Sequence, residues 1–372
     1  MGLSVITRVF HPIGQGAFYS ESHELGNGRT FNIIYDCGVV GRKGLISARA
    51  TTLLKNFAKQ NKEIDILFIS HLDFDHVSGI SELIKQKVKF KRIILPLMFL
   101  RNQYLLLGSQ NSCAQFVQSV LKSVFGDDTE IIFVSSEIAD DSEELSVDSI
   151  NRTNTPLILK SGTKISFSGN QWFFVPYNYD YSNRSAVLQQ NIKQNNLSVY
   201  KLKHCIRYIK GVFSNLNSSK YRNLKQAYEN ICKGQNGSGT NENSMLVYSG
   251  PKDDNVFQIQ QREFCAFNGT LNLMVNDKPG CVYMGDSDMN LCNPQNIYQK
   301  YWHLLGCVQI PHHGSHYNFV DNLLQGLVCP ISAGAHRIHP SKEVVYNLIA
   351  NHCIPVVVTE FSNTEYKEII NP

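Results

Sequence analysis

The sequence predicts an α/β protein, and three observations carry that. Strand-length apolar runs, Phe31 to Tyr35, Ile64 to Ile69 and Arg92 to Leu95, alternate in the first ninety residues with helix-patterned stretches at Ser47 to Gln60 and Ile80 to Gln86. Such runs are nearly continuous, as in strands buried on both faces, and strands that alternate with helices build covered sheets. The pattern returns later in the chain, at Thr163 to Phe167, Trp172 to Val175, Met245 to Tyr248, Val282 to Met284, Val308 to Ile310 and Val328 to Ser332. A helix at Lys342 to Ala350 and a strand at Pro355 to Thr359 close the series. Composition agrees: 372 residues, 42% of them apolar and 18% charged, hold a sizeable core, which excludes a disordered or fibrous chain.

Charge divides the chain. From Ser123 to Asn151 there are nine acidic residues and no Lys or Arg. From Ser182 to Thr240 ten Lys and Arg face one acid, Glu229, with Leu197, Tyr200, Ile206, Ile209 and Phe213 at helical spacing and a connector, Gly234 to Gly239, at the end. The expected organisation is one domain in two α/β halves, about 1–180 and 241–372, with a basic helical insertion at 182–240. The net charge of +4 permits a polyanionic partner without requiring one. Ten cysteines without a CxxC give no zinc knuckle, Met1 to Pro12 lacks the pattern of a signal peptide, and no apolar run reaches the ~18 residues of a membrane span. A reduced cytoplasmic protein without a membrane partner is expected.

The strongest local signal is His71-Leu72-Asp73-Phe74-Asp75-His76, between an apolar strand and a helix that opens at Gly79. Four metal-competent side chains on a tight loop can converge on one point, and carboxylate with imidazole suits zinc, manganese or iron. A capping loop, with Asp73 or Asp75 on the helix N-terminus, is the plainer alternative. Three other strand ends carry similar residues: Asp36 after Tyr35, Asp286 after Gly285, and His312-His313-Gly314-Ser315 after Pro311, while His339-Pro340 precedes the last helix. Acids and imidazoles gathered at strand ends mark the usual place of an α/β active site.

These motifs in this order resemble the metallo-β-lactamase superfamily, whose HxHxDH signature stands here as His71 to His76. Within it the chain looks most like the ComEC-type competence hydrolase domain, with Asp73 at the second histidine position, Gly14-Gln15-Gly16 near the start and Asn243-Ser244 at a strand entry. The resemblance covers about Thr7 to Arg92 and Asn243 to Thr359. It implies a four-layer αββα sandwich holding two divalent metal ions, zinc or manganese. The implied ligands are His71, Asp73, Asp75, His76, Asp286 as the bridge, one of His312 and His313, and His339, with Asp36 ordering the loop from behind. Relatives carry an isolated histidine between the motif and the bridging acid; here only His204 stands there, inside the insertion, so His312 or His313 is expected to supply that nitrogen. Two adjacent cations acidify a bridging water to hydroxide near neutral pH. Asp75 then orients or deprotonates the water, the unliganded member of the His312–His313 pair (His313 being the candidate) serves the leaving group, and Ser315 contacts phosphate.

Such a site hydrolyses lactams, thioesters or phosphodiesters, so the insertion decides. Lys201, Lys203, Arg207 and Lys210, interleaved with Tyr200 and Tyr208, combine cations for phosphates with rings for bases. The expected function is a metal-dependent phosphodiesterase or nuclease acting on nucleic acid. Hydrolysis of a small phosphodiester (a nucleotide signal or a phosphocholine-type ester) is the alternative. A third is a metal-stabilised subunit recruiting protein partners in a multi-component system. The plainer alternative for the basic face is docking on the acidic segment Ser123 to Asn151, with its tyrosines as a helix's apolar stripe.

Overall fold

The computed structural model describes residues 3–40, 62–97, 121–150, 157–167, 171–179, 190–198, 200–201, 207–208, 211, 218–229, 244–254, 256–266, 269–272, 277–335 and 338–372. In the first half the strands are β1 (Leu3–Phe10), β2 (Gly16–Leu25), β3 (Thr30–Val39), β4 (Glu63–Ile64), β5 (Ile66–Phe68), β6 (Lys89–Phe90), β7 (Arg92–Pro96), β8 (Glu130–Ile138), β9 (Glu144–Ser146), β10 (Leu157–Ser161), β11 (Lys164–Ser166) and β12 (Trp172–Tyr177). The second half adds β13 (Leu246–Pro251), β14 (Gln258–Ala266), β15 (Gly269–Asn272), β16 (Gly280–Tyr283), β17 (Leu305–Val308), β18 (Val328–Ser332), β19 (Ile354–Val358) and β20 (Tyr366–Asn371). The helices are α1 (Phe74–Val77), α2 (Ile80–Lys85), α3 (Ser219–Glu229), α4 (Pro294–Ile297) and α5 (Lys342–Ala350), with further helical residues at 121–125 and 190–194 among those described.

Two large sheets result. One runs β10-β8-β7-β5-β3-β2-β1-β20-β14-β15 and the other β19-β18-β17-β16-β13-β12-β11-β9. The first three strands form an antiparallel meander, turned between β2 and β3 by Asn27-Gly28, with Gly28 at φ 76°. Beyond β3 the pairing with β5, β7 and β8 is parallel.

Three apolar clusters count the layers. Between the sheets, Ile6, Phe10, Tyr19, Tyr35 and Phe68 meet Val247, Tyr283, Cys307 and Val328. On the outer face of the first sheet, Phe18, Ile34, Leu67 and Ile93 meet Ile80 and Leu83 of α2. On the outer face of the second, Val308 and Ile331 meet Val344 and Leu348 of α5. Three interfaces separate four layers, so the fold is a mixed α/β sandwich of helix, sheet, sheet and helix. Successive residues of β3, Ile33, Ile34 and Tyr35, point alternately into the two clusters, which is why the run reads as continuously apolar.

The structure departs from the sequence-based elements in one split run and in several strands not predicted from the sequence. The run Ile64 to Ile69 is two strands rather than one, because Asp65 interrupts it: its Oδ2 accepts the Asn32 amide at 2.8 Å and its Oδ1 accepts Lys91 Nζ at 2.8 Å. Strands β6, β8, β9, β10 and β15 are absent from the sequence reading, although β8 contains the apolar run Ile131 to Val134; β1, β2, β14 and β20 are also absent, and each of these four buries charge. Arg8 of β1, with no exposed surface, donates from Nε to Glu21 of β2 at 2.8 Å and from Nη1 to Glu368 of β20 at 2.6 Å. Arg262 of β14 reaches Glu368 at 3.2 Å, and Tyr283 and Tyr366 donate hydroxyls to Glu21 and Glu368 at 2.8 and 2.7 Å. Two guanidinium groups and two carboxylates thus meet inside the sandwich, each hydrogen-bonded to a group of opposite charge, the condition under which buried ions are tolerated. The helix predicted at Ser47 to Gln60 lies outside the described residues, as does most of the insertion; α3 is its principal described element.

Candidate metal centre

The loop His71 to Asp73 follows β5, and its shape is set by Asp36 at the end of the neighbouring β3. Asp36 is fully buried with φ 54°, left-handed backbone that Asp adopts more readily than most residues. Its Oδ1 accepts the Ser70 amide at 2.7 Å, and its Oδ2 accepts the Ser70 hydroxyl at 2.6 Å and lies 2.8 Å from His76 Nδ1. One carboxylate therefore holds both the entry to the loop and the ring that closes it. Helix α1 then lies directly on β3. A Cβ on Gly38 would stand 2.4 Å from Asp75 C and His76 N, so only glycine permits the approach. The variant Gly38→Ala is expected to push α1 off the strand and to cost about 1–3 kcal/mol by overpacking. It should also lower metal retention at least tenfold, read by thermal melting beside metal analysis of the same preparation.

The opposing wall comes from the second sheet. After β16, Gln309 Oε1 accepts the amides of Met284 and Gly285 at 2.7 and 2.8 Å, and Ser244 Oγ accepts the Asp286 amide at 2.9 Å. These bonds present the buried Asp286 carboxylate to the first loop. After β17, His312, His313 and Gly314 are consecutively left-handed, with φ of 48°, 56° and 80°. Gly314 is required there, since a Cβ would stand 2.7 Å from Pro340 Cβ. The two strained histidines cost of order 1–3 kcal/mol each, held in place by the packing around them. The turn swings His313 inward, where its Nδ1 donates to the Ser332 carbonyl at 2.9 Å.

The result is four ligand atoms, one each from Asp75, His76, Asp286 and His313, all within 4.8 Å of one another. His76 and His313 each commit Nδ1 to a carboxylate or carbonyl behind them, leaving Nε2 forward. His76 Nε2 then faces Asp286 Oδ1 at 3.2 Å, and His313 Nε2 faces Asp75 Oδ2 at 3.2 Å. In the neutral tautomer each is a lone pair against a carboxylate oxygen, an arrangement that repels unless a cation or a proton lies between. Electrostatics show the same demand. Burial opposes the charged imidazole of His76, yet Asp286 and Asp36 outweigh it and raise its pKa; burial likewise opposes ionisation of Asp286, yet His76 and His313 hold it well below the usual carboxylate range. His71 Nε2 and His76 Nε2 are buried without a hydrogen-bond partner among the described residues. Two imidazole nitrogens and two carboxylates are a donor set for a divalent transition ion, so the residues fit the metal.

The other sequence-predicted residues stand around this cluster. His71 packs its ring 4.0 Å from that of His76, with Nδ1 3.0 Å from both Ser70 Oγ and Ser244 Oγ; burial and then His76 push its pKa down to about 3, the neutral form a metal needs. Asp73 takes the N-cap position of α1 without a side-chain cap bond, its carbonyl accepting the His76 amide at 2.9 Å. His312 is half-buried, its ring 6.2 Å from those of His313 and His339, and its Nδ1 donates to Asn318 Oδ1 at 2.7 Å. His339 is half-buried, its Nδ1 without a hydrogen-bond partner among the described residues, and Ser315 is buried beneath the histidine turn. Of the pair the structure thus brings His313, rather than His312, to the carboxylates. Lys201 and Arg207 are exposed on the insertion; Lys203, Lys210 and His204 lie outside the described residues.

Sequence reasoning gave no part to Ser70, Gln309 or Asn318, which orient Asp36, Asp286 and His312. Each is an ordinary polar residue whose importance comes from its partner across the fold. Asn318 and Gln309 follow and precede the histidine pair by a few residues, the only signal they carry.

A sequence model of the Metallo-beta-lactamase superfamily matches residues 24–94. No curated protein matches the chain. Among solved structures, a long form RNase Z from yeast is similar over 89% of this chain at 9% identity and a TM-score of 0.33; the match covers 37% of that protein's length. The metallo-beta-lactamase MIM-1 from Novosphingobium pentaromativorans is similar over 45% of this chain and 50% of its own, at 14% identity and a TM-score of 0.20. The matched segment 24–94 contains Asp36, Gly38 and the whole of His71 to His76, so over that segment the chain is similar to the metallo-beta-lactamase superfamily.

Proposed function

We propose that the protein is a metal-dependent phosphodiesterase acting on nucleic acid. The observation that carries the metal is the meeting of Asp75, His76, Asp286 and His313, acceptor facing acceptor, in a buried site. These four would hold one divalent ion, zinc or manganese; His71, Asp73 and His339, together with Asp286, are the ligands proposed for a second. Bound ions supply Lewis-acid polarisation of a phosphoryl oxygen and a more acidic water. The chain does the rest. Asp36 fixes the tautomer of His76, and the Ser332 carbonyl fixes that of His313. Asp75 is the more exposed carboxylate of the cluster and takes the proton of the entering water at a carboxylate oxygen. His312, held through Nδ1 by Asn318, turns its other nitrogen to the leaving group.

Protein purified without chelator is expected to carry between one and two equivalents of a transition metal by elemental analysis, and under one equivalent of any would overturn the proposal. Incubated with single- and double-stranded DNA, RNA, cyclic nucleotides and a choline phosphodiester, it should consume an oligonucleotide. Chelation should lower that rate more than a hundredfold, and zinc or manganese should restore it. Consumption of the small diesters alone would shift the substrate class while keeping the hydrolase.

A further inference from the structure

The basic insertion holds a feature that no metal chemistry uses. Lys201 Nζ lies 5.9 Å from the ring centroid of Tyr208, and Lys220 Nζ lies 5.4 Å from the same centroid. Two like charges gathered on one ring repel each other, and each cation–π contact at an exposed position offsets only part of that. Lys220 and Arg222 also sit in the first turn of α3, which has no acid there, so the helix dipole opposes both charges. Nothing in the fold's own stability calls for this arrangement.

Three of the nine acids of the acidic segment pair with other cations. In the segment Ser123 to Asn151, Glu130 pairs with Arg92 at 3.0 Å, Glu143 with Lys160 at 2.8 Å and Asp141 with Lys300 at 3.1 Å. Among the described residues, Lys201, Arg207, Lys220 and Arg222 make no ion pair, so docking of the insertion on the acidic segment finds no contact there. The helix is anchored instead by its apolar side: Leu224 and Ala227 are buried, and Asn191 and Asn223 cross-bond it to residues 190–196 at 3.2 and 3.0 Å. Lys220 and Arg222 are left facing water, and Tyr200 beside Lys201 in sequence is exposed.

We infer that Lys201, Tyr208 and Lys220 form a clamp for the phosphate backbone of a nucleic-acid strand, with Tyr208 holding both ammonium groups in place. For the identity of the polyanion the clamp rests on the phosphodiesterase proposal above. A membrane surface is the less fitting anion, because an interfacial helix needs an outward apolar face and the apolar residues described in α3, Leu224 and Ala227, point inward. A nucleic acid instead offers spaced phosphates to the lysines and bases to the exposed Tyr200 ring.

The test uses the full chain and a fluorescent phosphorothioate oligonucleotide, with affinity read by anisotropy across a salt series. Lys201→Gln/Lys220→Gln should bind about 10- to 100-fold more weakly at low salt, with the slope of log affinity on log salt shallower by roughly 1.5. Tyr208→Leu removes no charge yet should weaken binding about three- to tenfold, while Tyr208→Phe should match the parent. A thermal melt of each variant controls for folding, and since both lysines are exposed the melts should coincide. Unchanged affinity and slope in the double variant overturn the clamp, as does loss of binding confined to phosphatidylserine vesicles. Oligonucleotide hydrolysis is scored separately: a parent protein that cleaves no phosphodiester while the slope still falls sinks the catalytic proposal and leaves the clamp. Normal cleavage with an unchanged slope does the reverse.

Discussion

Asp286→Ala is expected to lose metal and activity together, with affinity for one ion down at least a hundredfold and turnover near background. The carboxylate is buried and stands between His76 and His313, 3.2 Å from Nε2 of the first and 4.0 Å from that of the second. Removing it takes one of four donors and leaves two forward-facing imidazoles with a single carboxylate. Replacing a group that only orients a ligand already costs about 10- to 100-fold in metal affinity, and a direct ligand costs more. The neighbouring acid is the control. Asp288 Oδ1 accepts the amide and the side-chain nitrogen of Asn290, at 2.9 and 2.8 Å, so it shapes a turn. Asp288→Ala should cost about 1 kcal/mol of stability while retaining metal and most of the activity. Elemental analysis and turnover on the same preparations decide it, and equal damage from the two changes would show that the wrong acid has been assigned.

The second large effect concerns stability. Arg8→Met should destabilise the protein by about 3–5 kcal/mol, a fall of roughly 10 °C in Tm for a chain of this size. It leaves Glu21 without its principal cation and Glu368 with only Arg262, inside the sandwich. The pH dependence separates this from simple loss of packing. In the parent, burial opposes ionisation of Glu21, but Arg8 and then His23 outweigh it and hold the pKa well below the ordinary value. A depressed carboxylate contributes stability above its unfolded pKa, near 4, that is lost as pH falls through the folded value, so the parent gains nothing from Glu21 on going from pH 7 to pH 5. Without Arg8 burial dominates and the same carboxylate titrates above its unfolded value. Its stability contribution is then present at low pH and lost as pH rises, so the variant should be more stable at pH 5 than at pH 7. Denaturant melts at the two pH values give the sign directly.

That network also explains which strands are legible in the sequence. Strands buried on both faces, such as Phe31 to Tyr35 and Val328 to Ser332, announce themselves because each residue must be apolar, and a run of apolar residues needs no partner to be recognised. Strands β1, β2, β14 and β20 carry Arg8, Glu21, Arg262 and Glu368 inward, and a residue whose charge is neutralised by another 13, 106 or 360 positions away looks like surface when read locally. The centre follows the same logic. His71 to His76 is legible because its metal-competent side chains are contiguous, and Asp286 and the His312–His313 pair because they follow apolar runs. Which histidine turns inward depends on three successive left-handed residues and the Ser332 carbonyl, and no spacing encodes that. Ser70 and Gln309 matter only through the groups they orient.

The placement of β1 between β2 and β20 also sets an order of events during synthesis. Glu21 emerges soon after Arg8, but Glu368, the acid 2.6 Å from its Nη1, follows 360 residues later. Until then a nascent chain carries an uncovered strand edge and a guanidinium without its second carboxylate, the kind of surface that chaperones hold. The lengths of chain that bring Asp75, His76, Asp286 and His313 out of the ribosome are all shorter than the length that seals the sheet beneath them. A product of interrupted translation would possess every residue of the cluster and still lack the strand that joins β1 to β14.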